Sequence, residues 1–233
     1  MFWKTARFYD KVYAFKDYEA ETQTLLDIIG QDPGSDGKRL LDVACGTGHH
    51  LEHLKRHFDV EGMDISSEMV EIASQRNPGI RVFQGDMINF DLGCKFNVIT
   101  CLFSSIGYVK TLDNVRKAAK CMTNHLVPGG LLIIEPWLTP DNWKSGTVHG
   151  MYIDEPELKI ARVNTSFVEE RMSYFDLHYL IGTPEGTEHF VERHELGLFE
   201  TEEIDTILTE TGLEVTYDPE GLIGRGLFIG KRQ

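Results

Sequence analysis

Arg39-Leu-Leu-Asp-Val-Ala-Cys-Gly-Thr-Gly48 decides how this chain is read. Residues 39–44 are a short, mostly apolar run that breaks into a loop with glycines at 46 and 48. Glycine lets a backbone turn sharply and approach a ligand closely. A helical pattern follows, with Leu51, Leu54 and Phe58 on one face. A strand, a glycine loop and a helix in that order present free N–H groups and a positive dipole end. Both suit a carboxylate or a phosphate.

The same rhythm continues downstream. Val60-Glu-Gly-Met63 predicts a second strand, with a helix through Met69, Val70 and Ala73. Ile80-Arg-Val-Phe83 and Phe96-Asn-Val-Ile-Thr-Cys-Leu102 predict the third and fourth strands. A helix over 115–126 is expected to stop at Pro128-Gly-Gly130, before a fifth strand, Leu131-Leu-Ile-Ile134. Upstream, Tyr18, Leu25, Leu26 and Ile29 lie at helical spacing, and the glycine- and proline-containing stretch 31–38 breaks that helix. Apolar strands alternating with helices predict a parallel sheet buried on both faces. In such sheets ligands bind beyond the carboxyl ends of the strands.

From about residue 145 the rhythm changes. Segments 158–168, 171–181 and 187–199 look extended, with Gly182-Thr-Pro-Glu-Gly186 as a turn between two of them. They predict an antiparallel patch over the ligand edge. Thr201 is placed to cap a helix through Ile204, Ile207 and Leu208, ended by Gly212. Two last strands follow near 213–217 and 226–231. The chain therefore divides into a core, 1–145 with 200–233, and an inserted lid, 146–199.

The chain has 233 residues, 41% hydrophobic and 26% charged, enough for one α/β domain and a lid. With 37 acidic against 23 basic residues its net charge is −14, which argues against nucleic acid as a partner. No apolar stretch is long enough to span a bilayer, and the N-terminus lacks the apolar region of a signal peptide. Cys45, Cys94, Cys101 and Cys121 form no C-x-x-C pair. They read as reduced thiols of a cytoplasmic protein, with Cys45 and Cys101 buried. A homodimer is allowed, although no signature sets the oligomeric state.

The glycine loop invites comparison with dinucleotide-binding enzymes. After Gly46-Thr-Gly48 come His49, His50 and Leu51, so the third glycine of G-x-G-x-x-G is absent. Asp42 precedes the loop. Asp64 ends the second strand, where a carboxylate can accept both hydroxyls of a ribose. Asp86-Met87 follows the third strand, offering an acceptor for an exocyclic amine and a thioether to pack on a ring. A loop for a carboxylate, an acid for ribose and this pair for adenine together describe S-adenosylmethionine. Ile65, beside Asp64, and Leu102, at the end of the fourth strand, complete the cofactor set with Ala44, Gly46 and Gly48. His49-His-Leu-Glu-His53 matches a zinc pattern letter for letter, but it starts at the glycine loop and lacks a third ligand. No metal is expected, and the histidines at 49, 50, 53 and 57 read as mostly solvated.

The order Asp42-Val-Ala-Cys-Gly-Thr-Gly48, Asp64, Gly85-Asp-Met87 and Leu126-Val-Pro-Gly-Gly130 resembles class I S-adenosylmethionine methyltransferases. Ala44 stands where the usual motif has its first glycine. More closely, the chain resembles the N,N-dimethyltransferases of dTDP-linked 3-amino-deoxysugars in antibiotic biosynthesis, the desosamine and mycaminose enzymes. Phe103-Ser-Ser-Ile-Gly-Tyr108, Glu135-Pro-Trp137 and Gly224-Arg-Gly-Leu-Phe228 carry that closer likeness. It runs from Tyr9-Asp10 to Gly230. The resemblance implies a Rossmann-like α/β fold, with a mainly parallel seven-stranded sheet, helices on both faces and an antiparallel lid. It also implies that Tyr9, Lys16 and Tyr18 close over the cofactor, with Lys16 pairing its carboxylate. Tyr108 would sit beside the sugar amine, and Arg225 would hold the nucleotide part.

Methyl transfer from a sulfonium is a direct displacement that needs alignment, a lone pair and exclusion of water. Glu135 is a candidate to hold or deprotonate an ammonium group. Trp137 is a candidate to stack on a sugar or a cationic centre. His178 and His194, both on the antiparallel patch, are the imidazole candidates, with His178 counted among the substrate contacts. Two other readings stay open: a methyltransferase for another small amine or carboxylate, and a non-catalytic S-adenosylmethionine-binding protein. Turnover of an amine panel separates them.

Overall fold

In the computed structural model, which describes residues 5–31 and 37–233, the N-terminal segment forms a short helix α1 (Tyr9–Val12) and a longer one, α2 (Tyr18–Gly30). Asp17 caps α2 by accepting from the Ala20 N–H at 2.9 Å. β1 (Arg39–Val43) leads into the glycine loop and α3 (His49–Leu54). β2 (Asp59–Asp64), α4 (Ser67–Arg76), β3 (Arg81–Gln84), β4 (Phe96–Cys101), α5 (Leu112–Asn124) and β5 (Leu126–Ile134) complete the alternating part. A four-stranded insertion follows: β6 (Val148–Glu155), β7 (Leu158–Glu169), β8 (Met172–Thr183) and β9 (Gly186–Gly197). The chain closes with α6 (Thr201–Glu210), β10 (Leu213–Asp218) and β11 (Leu227–Arg232).

The main sheet has seven strands in the order β10-β11-β5-β4-β1-β2-β3. β1 to β5 run parallel, and β11 and β10 are added antiparallel on the β5 side. This is the Rossmann-like fold of class I methyltransferases. The chain moves outward one way through β2 and β3, then restarts at β4 on the other side of β1. That reversal opens a crevice at the carboxyl ends of β1 and β4. Leu40 and Leu41 are both fully buried because successive strand residues point to opposite faces, and both faces are covered. One core packs Leu41, Ile99 and Leu132 against α5 and α6. The other packs Leu40, Val98 and Ile133 against α2 and α3. Among the described residues no helix is long and apolar enough to cross a membrane.

Four details depart from the expectations. The helix expected over 115–126 starts earlier and stops at Asn124, with the Thr111 hydroxyl accepting from the Asn114 N–H. Pro128-Gly-Gly130 lies inside β5 rather than before it. The pairing with β4 shifts register there, from Phe96↔Leu126 to Val98↔Leu131, and so tolerates a residue without an N–H. The cap of α6 is Glu200, whose N–H donates to Glu203 at 2.9 Å, and Thr201 is its first helical residue. The insertion has four strands where three extended segments were expected, because β6 precedes them. Its inner face joins Ile160, Leu177, Tyr179, Ile181 and Phe190 to Val12 of α1, so the second sheet packs on the N-terminal segment.

Candidate active site

The crevice holds a cavity of about 330 Å³, walled by Tyr9, the loop residues Ala44 and Gly46, Asp64, Ile65, Asp86, Met87 and Tyr108. Tyr9 comes from α1, and the others arrive from the ends of β1, β2 and β3 and from the segment after β4. A smaller cavity of about 50 Å³ adjoins it past the loop, bordered by Tyr18, Asp42, His49 and Leu102. The backbone reaches this shape through left-handed residues, Ala44 at φ 60° and Gly46 at φ 55°. Ala44 takes on this strain where the common motif uses glycine. Gly48, at φ 78°, borders neither cavity. A Cβ there would stand 2.7 Å from the Asn77 amide, so Gly48 lets α3 pack close to α4.

Asp64 is buried, and each of its oxygens accepts a backbone N–H at 2.9 Å, from Gly46 and from Ser66. Burial raises its carboxyl above the ordinary value despite those bonds. Each oxygen keeps a lone pair for a ribose hydroxyl. Asp86 accepts from the Ile88 N–H at 3.1 Å, and Met63, Ile65, Met87 and Ile88 form an apolar wall beside it. Asp42 lies beneath the loop, accepts from the Thr100 hydroxyl at 2.7 Å and is pushed up to about 6 by burial. This donor set fits the nucleoside and amino-acid ends of S-adenosylmethionine.

The N-terminal segment is pinned over the loop. Asp10 faces the Thr47 hydroxyl at 2.8 Å, His49 at 3.1 Å and the Arg76 guanidinium. Burial would raise its carboxyl, but the hydrogen bonds from His49, Arg76 and Thr47 prevail and hold it low. Glu21 binds Lys16 at 2.7 Å and His50 at 2.9 Å. The expectation of mostly solvated histidines is corrected: His50 is buried, His49 and His53 are half-buried, and only His57 is exposed. Lys16 is buried against Glu21 and over the Phe103 ring, and it borders neither cavity. Cys45 is half-buried rather than buried.

The turn after β4 is the strained part of the site. Phe103 and Ser104 sit at φ 50° and 63°, where residues with a Cβ rarely go. Glu135 accepts the Phe103 N–H at 2.6 Å, Ser104 donates to the Pro136 carbonyl at 2.8 Å, and Arg225 donates to the Ser104 hydroxyl at 3.1 Å. The turn launches a single 3-10 helix, Ser105–Val109, that carries Tyr108. A Cβ on Gly107 would meet Leu196 and Trp137 at 3.0 Å, so glycine lets this helix touch the lid. Glu135 is fully buried beneath the turn and faces no cavity. It braces the turn that aims Tyr108, which is the contact the structure gives the carboxylate expected to meet an ammonium group.

From the lid, His194 brings its Nδ1 within 2.7 Å of the Tyr108 hydroxyl and stacks on Phe175 with centroids 5.2 Å apart. Burial pushes His194 down to about 4, so its ring is neutral near pH 7. His178 does not join it. It is exposed on the outer face, stacked on His189, because buried positions on β8 fall at 173, 177, 179 and 181. Its assignment as a substrate contact is therefore corrected. Trp137 donates to the Ser173 hydroxyl at 2.9 Å and, with Arg225, borders a cavity of about 250 Å³. The Arg225 guanidinium lies 5.3 Å from the Trp137 ring and 5.4 Å from Phe103.

Sequence reasoning passed over Tyr13, Arg162 and Glu192. Glu192 is buried and accepts from both the N–H and the hydroxyl of Thr5. Arg162 lies against Tyr13, which meets Phe103 edge-on. Strand parity was the available signal: on β9 the buried series is Phe190, Glu192, His194 and Leu196.

Comparison with known proteins places these features in context. A family model described as a methyltransferase domain matches residues 40–130. The dTDP-3-amino-3,4,6-trideoxy-alpha-D-glucopyranose N,N-dimethyltransferase of Streptomyces venezuelae is 37% identical over 217 residues, covering 92% of this chain and 91% of that protein. The dTDP-4-amino-2,3,4,6-tetradeoxy-D-glucose N,N-dimethyltransferase of Saccharopolyspora spinosa is 37% identical, covering 97% and 92%. An amino pentose methyltransferase of calicheamicin biosynthesis from Micromonospora echinaspora, solved with S-adenosylmethionine bound, superposes with a TM-score of 0.88. It is 36% identical, with 97% of each chain covered.

Proposed function

The chain belongs to the S-adenosylmethionine-dependent methyltransferases of the amino-sugar N,N-dimethyltransferase family, and we propose that its own acceptor is the amino group of a dTDP-linked amino-deoxysugar. The position of Tyr108 carries the reading. Its side chain walls the cofactor cavity, while its hydroxyl reaches His194 of the second sheet. An acceptor held under that sheet meets the cofactor at this phenol.

The bound cofactor supplies an electrophilic methyl group on sulfur. Asp64 and Asp86 hold the nucleoside end, with Met87 and Ile65 against the ring. Ala44, Gly46 and Leu102 shape the passage to the amino-acid end, with Asp42 beneath it. Tyr9 and Tyr18 cover the loop. An amine attacks only through a free lone pair. In the tautomer with its proton on Nε2, neutral His194 accepts the Tyr108 O–H at Nδ1, which leaves the phenol oxygen to accept an N–H of the substrate. That bond turns the nitrogen lone pair toward the methyl group, and the closed lid keeps water out. Trp137 and Arg225 receive the sugar and nucleotide part. Residues 146–199 act as the substrate lid.

Mass spectrometry of products tests this. Wild-type protein with S-adenosylmethionine is offered dTDP-linked 3-amino and 4-amino sugars and the same free sugars. Methylation of a nucleotide-linked amine well ahead of its free counterpart is expected. Equal rates on both would remove the nucleotide from the reading and leave a simpler amine methyltransferase.

A further inference from the structure

Arg162 projects from the middle of the lid. On β7 the inward series runs Ile160, Arg162, Asn164 and Ser166, while Val163 and Phe167 face solvent. Arg162 pairs across the strands with Tyr179 of β8. Its guanidinium acts on the phenols of Tyr13 and Tyr179, and burial outweighs it in keeping both phenols above their ordinary pKa. These two phenols are thus neutral at pH 7. Its Nε is buried without a hydrogen-bond partner. Arg225 approaches the same place from the core. The Arg162 guanidinium lies 5.9 Å from the Tyr13 ring, Tyr13 meets Phe103 at 5.4 Å, and Arg225 lies 5.4 Å from Phe103. The Tyr13 phenol feels both arginines.

Among the described residues neither arginine has an ion pair. Arg7, Arg39, Arg76, Arg81, Arg171 and Arg193 each lie against a carboxylate. Two carboxylates lie within electrostatic reach of this group: Glu192 gives both oxygens to Thr5, and Glu135, which feels Arg225, accepts the Phe103 N–H. In a chain of net charge −14, two half-buried guanidinium groups outside any ion pair among the described residues are a local exception. Desolvated cations of this kind are costly unless an anion completes them. Each planar fork suits one phosphate group.

We infer that Arg162 from the lid and Arg225 from the core clamp the two phosphates of a nucleoside diphosphate-linked substrate. The inference rests on the nucleotide-sugar reading above and adds the lid's own half of the grip. It makes the lid close on the diphosphate, with Tyr13 and Phe103 as the aromatic floor between the guanidinium groups.

The probe is dTDP alone, titrated calorimetrically into the full chain, with S-adenosylmethionine titrated separately. Arg162→Met and Arg225→Met are each expected to weaken dTDP about tenfold to a hundredfold, with S-adenosylmethionine affinity unchanged. Arg162→Lys keeps the charge and loses the fork, so it is expected to fall between wild type and Arg162→Met. It also supplies the comparison if Arg162→Met does not fold. If wild type binds dTDP and both Arg162 variants bind it equally well, the clamp is overturned while the nucleotide-sugar reading stands. If wild type shows no affinity for dTDP, that reading falls and the clamp with it.

Discussion

Around the glycine loop, the inward-facing groups come from successive strand ends: Ala44 and Gly46 after β1, Asp64 at the end of β2, and Asp86 and Met87 after β3. In the lid they come from every second residue of long antiparallel strands, such as Arg162, Phe175, Glu192 and His194. The first wall is held by bonds between neighbouring strand ends, as where the Asp64 carboxylate accepts from the Gly46 and Ser66 N–H groups. The second is held by contacts between segments 36 to 187 residues apart: Trp137 to Ser173, Tyr108 to His194, Thr5 to Glu192. A wall made of strand ends is placed by the fold itself. A wall made of alternate residues depends on register, and a one-residue slip would turn every inner side chain outward.

The two walls should therefore respond separately to mutation. Asp64→Ala removes the ribose acceptor and the brace of the loop. Charged hydrogen bonds are worth roughly 1.5–3 kcal/mol each, so cofactor affinity should fall about a hundredfold by calorimetry, with dTDP binding retained. Loss of both ligands together would mean that the walls are not separable. Tyr108→Phe keeps the ring and removes the oxygen that faces the amine. It should lower kcat about tenfold or more with cofactor affinity little changed, and an unchanged kcat would remove Tyr108 from the chemistry.

Smaller effects sharpen the contrast. Asp42 has its carboxyl raised from 3.8 to about 6 by burial. It binds its proton more tightly in the folded state, so its contribution to stability is fully present below 3.8 and is lost as pH rises through about 6. Asp42→Asn can still accept from Thr100 and does not ionise. It should be more stable than wild type at pH 7.5, by on the order of 1 kcal/mol, and gain about half as much at pH 5. Melting curves at the two pH values check this, and a gain confined to the lower pH would reverse the sign. His178→Ala, on the outer face, should leave kcat and KM unchanged and shift stability by no more than about 0.5 kcal/mol. A rise in KM would put the outer face of the lid into the site.

These differences also set what could be read from the residues alone. That Asp42, Gly46, Asp64 and Asp86 line the crevice was legible because a buried parallel strand shows as an apolar run, and its end marks the crevice side. β5 was misjudged at Pro128 because a register shift belongs to a pair of strands and leaves no mark on one of them. His178 and His194 looked alike as letters; only the pairing of β8 with β9 separates an outward from an inward ring. Glu135 follows a strand, as a site residue should. Yet the left-handed Phe103 that it braces is visible only in the backbone. Arg162 carried no motif at all.

The central claim is that one wall takes the cofactor and the other takes a nucleotide-linked amine, meeting at Tyr108. Hydrogen exchange read by mass spectrometry tests it most directly, on wild-type protein with S-adenosylmethionine alone, dTDP alone, or both. The account predicts that the cofactor slows exchange at 43–48, 64–66 and 86–88, while dTDP slows it at 160–164, 190–196 and 224–226. With both bound, the two footprints should add and meet at 103–108. A dTDP footprint confined to the glycine loop, with none in the lid, would contradict it.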